Sequence, residues 1–150
     1  MIHLLDVNVL IALLDAEHIA HDDAHEWFDA VGKSGWATCP IVENGFLRIV
    51  GASRYGPASV PMARLMSNLS EFTRAADHEF WAEDFSLLDH PDIHRDKLTS
   101  TAQLTDTYLL ALAVSNGGRL ATLDRRLSPR AVEGGEGALV QIPTSSVASD

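Results

Sequence analysis

What the sequence lacks narrows the possibilities first. One cysteine in 150 residues, Cys39, excludes an internal disulfide framework. Its setting in Trp36-Ala37-Thr38-Cys39 is that of a strand residue rather than a nucleophile. No apolar run approaches the roughly eighteen residues of a membrane span. The amino terminus has neither the basic lead nor the small-residue cleavage site of a signal peptide. The expectation is a soluble, cytoplasmic protein that makes no membrane contact. Basic residues are also scarce, 11 Lys and Arg against 21 Asp and Glu, for a net charge of -10. That balance excludes nucleic-acid binding through a general basic surface. It leaves room for a local site, because no acid falls between Glu43 and Glu71 while Arg48, Arg54 and Arg64 do, and Arg119, Arg125, Arg126 and Arg130 surround the single Asp124.

With 46% hydrophobic residues, the chain is long enough for one domain with a real core and too short for two. The opening stretch, Met1 to Asp15 (MIHLLDVNVLIALLD), organises the rest. Ile2 to Leu5 reads as a short buried strand, and the apolar positions 9, 10, 13 and 14 have helical spacing. Asp6-Val7-Asn8 is therefore a strand-to-helix joint. Such joints border the ligand crevice of an open α/β sheet, although Asn and Asp also serve there as plain helix caps.

The spacing predicts a helix over 20–31, a strand over 36–39, and a helix from Pro40 through Val50 with Glu43 in its first turn. Residues 51–60, rich in Gly, Ser and Pro, read as a loop. A helical pattern resumes over 62–76, a short strand is suggested within 78–88, and 90–100 reads as connection. A strong helix over 105–116 stops at Gly117-Gly118. A strand over 119–123 delivers Asp124, and 139–142 is the last strand. We expect one domain over 1–143 and a frayed tail over 144–150. Alternating strands and helices imply a parallel sheet covered on both faces, a three-layer α/β/α domain.

Four acids fall at joints along one edge of that sheet: Asp6, Glu43, Asp106 and Asp124. Each alone can be a cap or a helix-dipole residue. Together they would repel strongly unless a cation sat among them, and oxygen-only ligands suit Mg2+ or Mn2+. Asn8 and Thr122, each two residues from an acid, share its face in extended chain and could orient a metal-bound water. His18, His21 and His25 have metal-ligand spacing in part, but no glutamate stands where helical zinc motifs require one, so they read as surface histidines. Trp27, Phe28 and Phe46 fall on apolar helix faces and read as core rather than as a base-stacking platform.

The segments Leu4-Leu5-Asp6-Val7-Asn8-Val9-Leu10, Val42-Glu43, Leu104 to Ala113 (LTDTYLLALA) and Arg119-Leu120-Ala121-Thr122-Leu123-Asp124 together resemble the PIN-domain ribonucleases, specifically VapC toxins. The resemblance spans nearly the whole chain. It implies a PIN-like fold and a Mg2+- or Mn2+-dependent endoribonuclease, usually homodimeric, inhibited by a small antitoxin called VapB. It also implies that Asp6, Glu43, Asp106 and Asp124 are the catalytic, metal-holding quartet, supported by Asn8 and Thr122. The chemistry would be metal-assisted hydrolysis of RNA phosphodiesters, with Glu43 as a further ligand or the base for the attacking water. Arg48, Arg54, Arg119, Arg125 and Arg126 are the candidates for gathering substrate phosphates. Two rival readings remain: a phosphotransfer domain of receiver or phosphatase type, and a catalytically silent module of the same fold. The phosphatase wants a second Asp where Asn8 stands, and the receiver a Lys where Asp124 stands.

Overall fold

The computed structural model describes residues 1–52, 60–75 and 77–145. Five strands form one parallel sheet in the order β3-β2-β1-β4-β5. They are β1 (His3–Leu5), β2 (Trp36–Thr38), β3 (His78–Phe80), β4 (Arg119–Thr122) and β5 (Leu139–Gln141). The helices between them are α1 (Val7–Leu14), α2 (His21–Ala30), α3 (Pro40–Val50), α4 (Met62–Phe72), α5 (Gln103–Ser115) and the short α6 (Gly135–Ala138). α1 packs with α2 and α3, while α5 packs against β1, β4 and α6, which gives the expected three layers. Among the described residues no helix is long and apolar enough to cross a membrane.

The strand order decides where a site can be. The chain lays β2 and then β3 to one side of β1, and only afterwards places β4 on the other side. The sheet therefore has its topological switch between β1 and β4, and a crevice opens outside their carboxyl ends. β1 and β4 are in register from His3↔Arg119 to Leu5↔Ala121, and the Asp6 N–H continues the ladder to the Ala121 carbonyl at 2.9 Å. Asp6 and Thr122 are thus brought to the same level by backbone pairing alone.

Both β1 and β2 are buried along their whole length, as a sheet covered on two faces requires. Leu4, Leu5, Val9, Leu10, Trp36, Val42, Leu109, Leu110, Leu112 and Leu120 form the heart of the core. At about 1.5–3 kcal/mol for each such side chain removed from water, this cluster carries most of the drive to fold. Two glycines set how tightly the site-bearing elements meet. A Cβ on Gly45 of α3 would come within 2.8 Å of the Val7 side chain, so its absence lets α1 and α3 approach beside Asp6. Gly117 takes φ 68°, and the Gly118 N–H returns to the Ala113 carbonyl at 2.9 Å, closing α5 in the αL manner expected of this Gly-Gly.

Several expectations need adjusting. α4 ends at Phe72, short of residue 76, where Thr73 and Arg74 interrupt the apolar spacing and the Thr73 hydroxyl bonds the Ser70 carbonyl. Only His78–Phe80 of the 78–88 stretch pairs as a strand, on the exposed edge of the sheet. His21 and His25 are not idle surface histidines. Their rings bond the Ala12 and Leu13 carbonyls at 2.7 and 2.8 Å, satisfying acceptors that the end of α1 leaves without helical partners. Phe28 and Phe46 are core as expected, with Trp27 half-buried beside them. Most of the 51–60 loop and the tail beyond Ser145 lie outside the described residues. Thr144 and Ser145 are held, by Arg125 and Asp23 respectively.

Candidate active site

Asp6 is the N-cap of α1, and its Oδ1 accepts the Val7 N–H at 2.7 Å. Its other oxygen, Oδ2, accepts the Thr122 hydroxyl at 2.8 Å and the Asn8 amide weakly at 3.5 Å. Capping and site membership are thus one arrangement. Thr122 is wholly buried at the end of β4. Its hydroxyl donates to Asp6 and accepts from Asn8 Nδ2 at 3.2 Å and from the Asp124 N–H at 3.0 Å. One donor and two acceptor positions are all that a hydroxyl has. Thr122 therefore has no capacity left to orient a water, and its part is to lock Asp6 and the turn to Asp124 together. Asn8 is similarly committed, since its Oδ1 accepts the Leu123 N–H at 3.0 Å. The pair forms a scaffold that stitches β1 to β4, with one lone pair of the Asn8 amide oxygen left over.

Asp124 follows β4 by two residues, and its Oδ1 accepts the Arg126 N–H at 2.9 Å in a tight turn. Asp106 lies in the first turn of α5. Burial pushes the Asp106 carboxyl up to about 6, and the charges of Asp6 and Asp124 add to the effect. Asp6 is also raised, by burial first and by the Asp124 charge, against the lowering pull of its bonds from Thr122 and Val7. The Asp124 charge thus bears on Asp6, and both bear on Asp106, three carboxylates drawn from three elements.

Glu43 stands to the side of that trio. It sits in the first turn of α3, and its Oε2 accepts the Thr38 hydroxyl at 2.7 Å. No effect of its charge on Asp6 or Asp106 is among the causes of their shifts. Among the described residues no three His, Cys, Asp or Glu side chains form a ready-made cage for an ion. The donor set nevertheless fits a hard divalent cation. It consists of oxygens only, and such cations keep several waters while leaning on one or two carboxylates.

The arginines separate by position. Arg119 opens β4, at the opposite end of the strand from Asp124, roughly 16 Å away at 3.3 Å per residue. Arg48 is exposed on α3 and bonds Asn44 at 3.1 Å. Arg125 reaches Thr144 at 3.0 Å, and exposed Arg126 pairs loosely with Asp124 at 3.7 Å. Arg54 lies outside the described residues. Sequence reasoning passed over Lys97 and grouped Arg130 only with the basic patch around Asp124. They line a cavity of about 290 Å³ beside the first turns of α5, where Gln103 and Thr107 form the facing wall. It also passed over Glu83, whose Oε2 accepts the Ile41 N–H at 2.6 Å and so neutralises the amino end of α3. Burial, with the Glu83 carboxylate beside it, pushes the Cys39 thiol up to about 12, which leaves it inert as read from the sequence.

Comparison with known proteins bears on the family and the fold. The family model described as PIN domain matches residues 3–132. The chain is 44% identical over 131 residues to Ribonuclease VapC44 of Mycobacterium tuberculosis, covering 87% of this chain and 92% of that protein. It is 40% identical over 134 residues to Ribonuclease VapC39 of the same organism, covering 89% and 96%. A crystal structure of VapBC2 from Rickettsia felis bound to a DNA fragment from their promoter superposes with a TM-score of 0.51 over 84% of this chain and 90% of that chain. At 15% identity, that likeness is one of fold.

Proposed function

Because the chain belongs to the PIN-domain family and, within it, to the VapC ribonucleases, we propose that it is a divalent-metal-dependent endoribonuclease and the toxin of a VapBC-type pair. The observation that carries the reading is the gathering of Asp6, Asp106 and Asp124 toward the switch point, the first two raised mainly by burial and further by the charge of neighbouring carboxylates. Without a counter-ion that grouping is a liability in a folded protein. With one it is a catalytic centre.

Asp6, Asp106 and Asp124 would hold Mg2+ or Mn2+, directly or through water. The ion supplies a Lewis acid that neutralises charge on the scissile phosphate and its leaving oxygen. Glu43, on the α3 side, would orient the attacking water and take its proton. Thr122 and Asn8 keep Asp6 and the Asp124 turn in register. Substrate phosphates would meet Arg48, Arg125 and Arg126 near the edge, with Lys97 and Arg130 beside α5. On this reading residues 1–143 are the nuclease domain, with Thr144 and Ser145 tied back to it.

Purified protein should cut RNA in Mg2+ or Mn2+, stop in EDTA, and lose cleavage in Asp124→Asn. Sequencing RNA ends after brief expression would identify the target. An Asp6 that accepts phosphate from a small phosphodonor, with no RNA cleavage, would favour the phosphotransfer reading. A metal-binding protein that neither cuts RNA nor takes phosphate would be the silent module. For the partner, the chemistry points to a small antitoxin that inserts an arginine among these carboxylates, since a guanidinium pairs with a carboxylate through two parallel hydrogen bonds. A coexpressed complex that cleaves as fast as the free protein would rule that insertion out. The same reading places a second copy of the chain against the apolar outer face of α3 and α4.

A further inference from the structure

Glu43 is held by a chain of two hydrogen bonds whose other end lies on the edge strand. The Thr38 hydroxyl donates to Glu43 Oε2 at 2.7 Å, and His78 Nε2 lies 2.8 Å from the same hydroxyl oxygen. The sheet register makes this possible. His78 pairs with Trp36, and Trp36 and Thr38 are two apart on β2. They share a face, so the imidazole reaches Thr38 along the cross-strand diagonal. Its ring also lies 4.5 Å from the Trp36 ring, which fixes its plane. Thr38 is wholly buried. Its hydroxyl has one proton, and an ionised Glu43 can only accept it. The bond from His78 must then run the other way, with Nε2 carrying the proton.

We propose that His78 and Thr38 are positioning residues for Glu43: His78 Nε2–H donates to Thr38, whose hydroxyl donates to Glu43 Oε2 and leaves Oε1 to act on the attacking water. The inference deepens the nuclease reading of this site and rests on it for its kinetic consequence. The direction of the two bonds does not. Burial lowers the His78 pKa, against the raising effects of Glu43, the Thr73 main chain and Glu79, so the direction of the bond is argued from the hydroxyl's single proton. A partner of this kind behind a catalytic carboxylate restricts its rotamers without touching substrate. Losing one commonly costs ten- to a hundredfold in activity.

The test uses two pairs of variants and one measurement that needs neither metal nor RNA. Thr38→Val keeps the buried shape without the hydroxyl, and Thr38→Ser keeps the hydroxyl. His78→Phe keeps a ring against Trp36 without a donor, and His78→Gln keeps a donor. On a short RNA containing the mapped cleavage site, the Thr38→Val and His78→Phe proteins should lose about tenfold in kcat with KM within about twofold. Thr38→Ser and His78→Gln should recover most of the loss. In the metal-free protein, 15N NMR of labelled histidine should show His78 Nε2 protonated, with that proton exposed to exchange in Thr38→Val. An unprotonated Nε2, or a His78→Phe protein with unchanged kcat, overturns the proposal. If the wild-type protein cuts no RNA, the nuclease reading fails, and the NMR result alone decides the relay.

Discussion

The Thr122 hydroxyl and the Asp6 carboxylate meet at 2.8 Å across 116 residues of sequence, joining the ends of the two strands that flank the switch point. Because the same hydroxyl also accepts from Asn8 and from the Asp124 N–H, one buried atom holds both the first and the last acid of the site. Thr122→Val should therefore leave an Asp6 oxygen and a main-chain N–H short of partners. We expect a loss of about 2 kcal/mol, the usual cost of orphaning buried polar groups. Urea unfolding of the metal-free protein measures it. A variant within about 0.5 kcal/mol of wild type would show that the hydroxyl does not carry this junction.

Asp106→Asn should move stability the other way. The folded-state pKa of Asp106, about 6, lies above its ordinary 3.8. The folded chain therefore binds the proton more tightly than the unfolded chain does. Stability is favoured below 3.8 and falls as the pH rises through about 6, where the carboxylate is ionised beside Asp6 and Asp124. The side chain is half-exposed, so solvent screening trims the effect to about 1 kcal/mol. At pH 8 without metal, the Asn variant should melt about 2–4 °C above wild type. At pH 4 the gain should vanish. An equal gain at both pH values would mean that charge repulsion is not its source.

A divalent ion should reverse that penalty by binding the folded state alone. At a hundredfold excess over Kd the linkage is about 2.7 kcal/mol, or roughly 5–10 °C for a chain of this size. Mg2+ or Mn2+ should raise the wild-type melting temperature by that order, EDTA should undo it, and Asp124→Asn should respond weakly or not at all. A shift equally large in the variant would place the ion somewhere other than the switch point.

Which parts of this site could be read from sequence follows from how far apart the partners lie. Asp6 was legible because a charge between two apolar runs is a local anomaly, and the remaining acids because each begins or follows an element whose period is itself visible. The Glu43 support was not legible. Thr38 is 5 residues from Glu43, but His78 is 40 from Thr38, and only the β2–β3 register brings them together. Glu83 escaped for the same reason, since the Ile41 N–H it accepts lies 42 residues away. Arg119 shows the converse. The strand expected over 119–123 already sets it at the end opposite Asp124, and pairing with His3 makes that plain. The histidines of α2 were misread because the carbonyls they satisfy belong to α1, and helix ends advertise their orphan acceptors only in three dimensions.

Apolar side chains exposed on α4 and α3 favour self-association. Met62 and Met66 lie one turn apart on α4 and are about half exposed, at 46% and 53%, with Ile49 of α3 at 40%. The Met62 methyl reaches the space over Gly51 at the end of α3, so the exposed methionines of α4 lie toward that helix. A monomer gains nothing by leaving a methionine pair and an isoleucine facing water, while two copies related by a twofold axis would bury the same face twice. We expect light scattering at tens of micromolar, an order-of-magnitude choice suited to a stable interface, to give the mass of a dimer. Met66→Glu places a charge at the middle of the patch, where the folded monomer has solvent to receive it. The variant should therefore become monomeric while its melting temperature, measured at a concentration where wild type is also monomeric, stays within a few degrees. A wild-type protein that is monomeric throughout this range, or a Met66→Glu protein that remains dimeric, would remove α4 from the interface.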